Sequence, residues 1–134
     1  MKEKDIQRIW GKYLQENPPD YPEAHELKLS KGPSIRIDSV KPHQIAGLRG
    51  AKTGLYYKIQ DMTAANGFAD PKPFDDFWLK EADGFVVICF YVPRKRKLAY
   101  KIPVETWVTE TAKIEKKSVR EEDIREWADE IVAL

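Results

Sequence analysis

An acid and a lysine two positions apart, Glu26 and Lys28 in the stretch HELKLSK, are the residues of this chain whose types and spacing most directly suggest chemistry. If the stretch is a strand, successive side chains point to opposite faces, so Glu26 and Lys28 share one face and His25, Leu27 and Leu29 the other. A carboxylate beside an ammonium is the arrangement a divalent-metal hydrolase needs. The acid helps hold Mg²⁺ through one or two oxygens, and the ammonium offsets charge developing on a phosphate or orients the attacking water. The same triplet also describes a solvated strand face. One carboxylate rarely holds Mg²⁺ tightly, so more acids are required, and three stand as candidates: Asp20 in PPDYPEAHELK, Asp61 at the end of YYKIQD, and Asp75 in KPFDDF. Asp20 sits in a proline-bent linker, whereas Asp75 opens a strand and is better placed to be rigid.

Other polar groups could serve the same chemistry. His43, near a helix start and followed by Gln44, could hydrogen-bond a scissile phosphate or position that helix. The basic turn Arg94, Lys95, Arg96 and Lys97 could neutralise phosphates, the source of most non-specific nucleic-acid affinity, or form a solvated hairpin tip. Lys58 could add to a positive cleft. Ser34 reads as a turn serine. Tyr56 and Tyr57 alternate across a strand, so one is expected in the core while the other could stack on a base. Trp10 and Trp127 fall on helical core positions. Cys89, the single cysteine, is embedded in FVVICFY; with neither a charge nor a helix start nearby, it reads as a buried reduced thiol of a cytoplasmic protein.

The elements that must position these residues follow from pattern. With 134 residues, the chain fits one domain over residues 1–134. Its 42% hydrophobic and 34% charged residues match a soluble globular protein. No run approaches the ~18 apolar residues of a membrane span, and the amphipathic start lacks a signal-peptide core. A first helix over 5–16, capped by Asp5, carries Ile6, Ile9, Trp10, Tyr13 and Leu14 at helical spacing and ends at Asn17, Pro18 and Pro19. Period-two alternation from Ala24 to Leu29, and at Ile35 and Ile37, predicts two strands around a turn or bulge. Ser39 and Pro42 start a second helix with Ile45, Leu48 and Ala51 inward, closed by Gly50 or Gly54. LYYKIQ is a strand, and the long connection from Asp61 to Pro73 is of a length that is often functional. FDDFWL, the buried central strand GFVVICFY and LAYKI follow, then a short helix at PVETWVTE. A last helix over 118–132 is expected from a capping box of Ser118 and Glu121 and a stripe of Ile124, Trp127, Ala128 and Ile131. The sum is an α/β (α+β) domain, a mixed sheet of about five or six strands flanked by helices.

The ordered succession HELKLSKGPSIRI, VKPHQIAGLRGA, GLYYKIQD, KPFDDFWL, GFVVICFY and YKIPVETW resembles Holliday junction resolvase-like proteins of the PD-(D/E)XK nuclease superfamily, related to the recombination resolvase U group. The resemblance covers residues 24–108. It implies a restriction-endonuclease-like core that cuts DNA phosphodiesters with Mg²⁺ or Mn²⁺. Glu26 matches the motif acid, Lys28 the motif lysine, His43 and Gln44 the His-Gln pair, and Asp75 the aspartate of KPFD. The superfamily's usual order places the aspartate upstream of E-x-K. Here either Asp20 supplies it or Asp75 reaches the site from another strand; Asp75 is favoured, with Asp61 as a third acid. Branched DNA is the implied substrate, and two symmetric cuts argue for a homodimer. The rival expectation is a non-catalytic DNA-binding or protein-interaction module that keeps the fold.

Overall fold

The computed structural model describes residues 1–59 and 73–134. Its centre is the apolar run of β5, Asp83–Phe90, buried from Gly84 onward. Around it lies a four-stranded mixed sheet in the order β1-β5-β6-β8, with β1 at Glu23–Ser30, β6 at Leu98–Pro103 and β8 at Glu130–Ala133. β1 runs parallel to β5, whereas β5 with β6 and β6 with β8 are antiparallel. Two antiparallel ribbons stand outside this sheet: β2, Ser34–Arg36, with β7, Ser118–Arg120, and β3, Leu55–Lys58, with β4, Asp76–Leu79.

Alternation along the strands gives the sheet two separate cores. On one face Leu27, Phe85, Val87, Cys89, Ala99 and Val132 pack with Ile6 and Trp10 of helix α1, Glu3–Glu16. On the other face Val86, Ile88, Phe90, Tyr100 and Ile102 pack with residues of three helices, among them Leu48, Trp107 and Ile124. These helices are α2, Pro42–Thr53, α3, Val104–Ala112, and α4, Glu121–Trp127. The protein is therefore α+β, with a mixed sheet between helical layers. Among the described residues, no helix is long and apolar enough to cross a membrane.

Two glycines fix α2. Gly54 caps its C-terminus with φ 143°, outside the comfortable range of L side chains. Gly84 lets the helix lie against β5: a Cβ there would fall 2.6 Å from the Leu48 carbonyl oxygen and 2.9 Å from Leu48 Cβ. That approach sets the height of α2 above the sheet, and hence the position of every side chain the helix presents to β1.

Several local expectations are corrected. Asp5 is not the N-cap of α1. The helix begins at Glu3, and Asp5, one turn in, accepts the Lys2 backbone N–H at 2.8 Å. Ile37 leaves the strand pattern for a 3-10 turn, and β2 pairs with β7 rather than with β1. The helix expected over 118–132 is in fact strand β7, helix α4 and strand β8 in succession. Ser118 is a strand residue, Ile131 is exposed, and Val132 fills the core. The physical reason is long-range. Val119 is buried with Ile35, and β8 occupies an edge of β6 that local helical periodicity could not reveal. Tyr56 and Tyr57 are both half-exposed, so neither is a core residue. Trp107 is buried and meets Trp127 edge-on, ring centres 6.2 Å apart. The connection expected from Asp61 to Pro73 lies almost wholly outside the described residues.

Candidate functional site

β1 places Glu26 and Lys28 on the face covered by α2, opposite Val86 and Ile88 in the parallel register. Lys28 Nζ lies 3.4 Å from Glu26 Oε1, with the two side chains 13% and 28% exposed. The third member comes from α2. Lys41 is the N-cap of the helix, and its backbone N–H donates to Gln44 Oε1 at 2.9 Å, as in a capping box. That bond fixes the amide so that Gln44 Nε2 points toward the sheet, where it donates to Glu26 Oε1 at 2.9 Å. Lys28 and Gln44 thus meet the same carboxylate oxygen from two directions. The first turn of α2 also brings the positive end of its helix dipole toward that acid.

The other expected residues are placed differently. His43, adjacent to Gln44, is exposed on α2. Asp75 is exposed immediately before β4, its carbonyl oxygen accepting the Ile59 N–H at 2.9 Å. It therefore belongs to the β3–β4 ribbon rather than to the four-stranded sheet. Asp61 lies outside the described residues. Asp20 lines a cavity of about 340 Å³ with Trp10, Glu23, Lys101 and Glu130, on the α1 face and away from Glu26. Among the described residues, no three His, Cys, Asp or Glu side chains come together to hold a metal ion. Glu26, Lys28 and Gln44 do not by themselves fit Mg²⁺, which takes carboxylates and waters in octahedral geometry.

The basic turn of Arg94, Lys95, Arg96 and Lys97 joins β5 to β6, with Arg94 at φ 68°. Because β1 and β5 are parallel, with Ser30 opposite Phe90, this turn lies beyond the end of the sheet toward which Glu26 and Lys28 lead. Lys58 is exposed on β3 opposite Asp76. On the same ribbon Tyr56, Tyr57, Phe77 and Trp78 are exposed, Trp78 at 74%. The Tyr56 hydroxyl donates to Asp76 Oδ2 at 3.0 Å, which holds the phenol above its usual range.

Sequence pattern did not anticipate a second polar cluster, on the α1 face. Lys101 Nζ meets Glu23 Oε1 at 2.6 Å and Glu130 Oε2 at 3.8 Å, and lies 4.3 Å from the centre of the Phe85 ring. His25 Nε2 is 2.9 Å from the same Glu23 oxygen, while Trp10 Nε1 donates to His25 Nδ1 at 2.9 Å. An indole N–H can only donate, so His25 Nδ1 must be bare and its proton must sit on Nε2, donating to Glu23. Burial pushes the His25 pKa below its ordinary value, against the opposing pull of Glu23. The available signal was a lone lysine in the apolar strand LAYKIP, since a charge at an inward strand position requires a partner.

Comparison with protein-family models, with curated proteins and with solved structures returns no match to this chain. The functional reading therefore rests on the residues themselves.

Proposed function

We propose that the protein is a Mg²⁺- or Mn²⁺-dependent DNA endonuclease of restriction-endonuclease-like architecture, acting on branched DNA. The observation that carries this reading is the convergence of Glu26, Lys28 and Gln44: an acid and an ammonium two positions apart on one strand, with a helix-borne amide holding the acid. Lys28 offsets the charge that builds on the phosphate oxygens during hydrolysis. Gln44 and Lys28 hold the carboxylate through Oε1. Glu26 would be one metal ligand, and Asp75 or Asp61 would have to complete the set. The basic turn from Arg94 to Lys97, together with Lys58, offers phosphate contacts. The exposed rings of Tyr56, Tyr57 and Trp78 suit stacking on unpaired bases, which favours a branched or partly single-stranded substrate over plain duplex. A cytoplasmic location fits the buried, unpaired cysteine.

The deciding experiment is cleavage of a synthetic four-way junction, run beside linear duplex and single strands. Cutting should require Mg²⁺ or Mn²⁺ and vanish in Glu26→Gln and in Lys28→Ala. Activity surviving in both variants would rule out this site. The single carboxylate among Glu26, Lys28 and Gln44 favours one alternative, a non-catalytic DNA-binding or protein-interaction module. That alternative predicts junction binding without cleavage under any divalent cation.

A further inference from the structure

β1 is an edge of the sheet, and a long one. It pairs with β5 without interruption from Glu23 opposite Asp83 to Ser30 opposite Phe90, eight residues with no bulge. The opposite edge, β8, has only four. Natural proteins blunt exposed edges with short strands, bulges, proline or charged side chains, because an open row of N–H and C=O groups recruits another strand. Within its span β1 has no bulge and no proline; its charged side chains Glu23, Glu26 and Lys28 are the device of this kind that it carries, and among the described residues nothing pairs with its outer side.

The charge pattern of β1 is complementary to a second copy of itself. Two identical strands related by a twofold axis can pair antiparallel only if that axis is normal to the sheet. Residues directly opposite one another then lie on the same face. Even positions must oppose even positions, so each allowed register is centred on a single residue. The two longest are centred on Glu26 and on Leu27. The first sets Glu26 directly against Glu26 of the second copy, like charge on like. The second sets Glu26 against Lys28 of the second copy and Lys28 against its Glu26, with Ala24 opposite Ser30 and His25 opposite Leu29. Opposite charges directly across an antiparallel pair attract, and like charges repel.

We propose that the chain forms a twofold dimer by antiparallel pairing of β1 with β1 in the register centred on Leu27. One continuous sheet then runs β8-β6-β5-β1-β1-β5-β6-β8. Both Glu26 and Lys28 pairs fall on the same face, side by side, and each carboxylate is flanked by two ammonium groups, one from each copy. This interface does not depend on nuclease activity.

Sedimentation equilibrium on the full chain tests it without any substrate. The expected mass at micromolar concentration is twice the monomer's 15.6 kDa. Glu26→Lys and Lys28→Glu should each weaken the dimer about tenfold or more by placing like charges opposite one another. The double exchange, E26K with K28E, should return it to near the original affinity. Circular dichroism of each variant separates lost pairing from lost folding. As an independent measure, mild oxidation should cross-link Leu27→Cys across the axis, where opposed Cα atoms come within disulfide range, and should not cross-link Glu26→Cys. A monomer at all concentrations, a dimer indifferent to the single charge reversals, or cross-linking at position 26 in place of 27 would each overturn the proposal.

Discussion

The two faces of β1 carry the same kinds of residue to opposite ends. On the α1 face an acid, Glu23, is held by Lys101 and His25, and the histidine in turn is held by a tryptophan. On the α2 face an acid, Glu26, is held by Lys28 and Gln44. The first group is the more buried: its lysine is 8% exposed and covers an aromatic ring, although with Glu23 and Glu130 it lines the cavity on the α1 face. The second is partly open, and its amide is supplied by the first turn of a helix rather than by the sheet. Charged side chains packed into a closed network fasten layers together, whereas charged side chains at an open margin remain available to a ligand. Alternation along a strand separates the two roles at adjacent positions.

The largest test of this contrast is removal of the Lys101 ammonium. Lys101→Ala leaves the Glu23 carboxylate poorly compensated beneath α1 and should cost about 3 kcal/mol in urea denaturation, the scale for breaking a buried pair. An effect below about 1 kcal/mol would mean that the α1 face is no more closed than the other. Next comes the spacing of α2. Gly84→Ala drives a methyl group into the Leu48 backbone and should cost roughly 2 kcal/mol as an overpacking change. It should also lower junction cleavage, because Gln44 would lift away from Glu26, and the two losses should appear together.

A smaller effect is expected at Trp10. Trp10→Phe removes the donor to His25 Nδ1 and should cost about 1 kcal/mol at neutral pH. It should also change the pH dependence. The folded protein holds His25 below its ordinary value of 6.5, so the unfolded chain takes up the proton first as pH falls. Stability from this group is present above about pH 6.5 and is lost as pH drops toward the lower folded value. With the indole N–H gone, the imidazolium no longer opposes a donor, and the decline in urea midpoint between pH 7.5 and 5.5 should become shallower. The smallest stability change belongs to the open face. Gln44→Ala should shift the midpoint by less than about 1 kcal/mol, yet reduce cleavage about tenfold or more. Equal losses of stability at Gln44 and Lys101 would erase the distinction.

Much of the positioning framework was legible because it is local. The alternation in HELKLS placed Glu26 and Lys28 on one face of β1, and the apolar run of GFVVICFY identified β5 as central. Pro42 marked the start of α2, with Ser39 falling in the preceding 3-10 turn, and of the two glycines expected to close the helix it is Gly54, not Gly50, that does so. Legibility failed where a partner distant in sequence decides the outcome. Ser118 followed by Glu121 is a sound capping pattern, but pairing of Val119 with Ile35 draws 118–120 into a ribbon. Ile131 fits a helical stripe, but the free edge of β6 takes 130–133 as a strand with Glu130 opposite Lys101. Within the site, Gln44 entered as an expectation of the His-Gln motif, while its hydrogen bond to Glu26 depends on how closely α2 packs on the sheet, which Gly84 allows. The motifs read for junction-resolvase chemistry, E-x-K, His-Gln and KPFD, are short and local, and gave no means of seeing the Glu23, His25 and Lys101 network.

The burial of Cys89 makes the chain its own unfolding clock. This sole thiol is fully buried in the middle strand of the sheet, and desolvation pushes its pKa up to about 11. At neutral pH an alkylating reagent must wait for β5 to open. The rate of thiol labelling on the unmodified protein therefore reports how often the sheet comes apart, and a ligand bound at either face should slow it in proportion to occupancy.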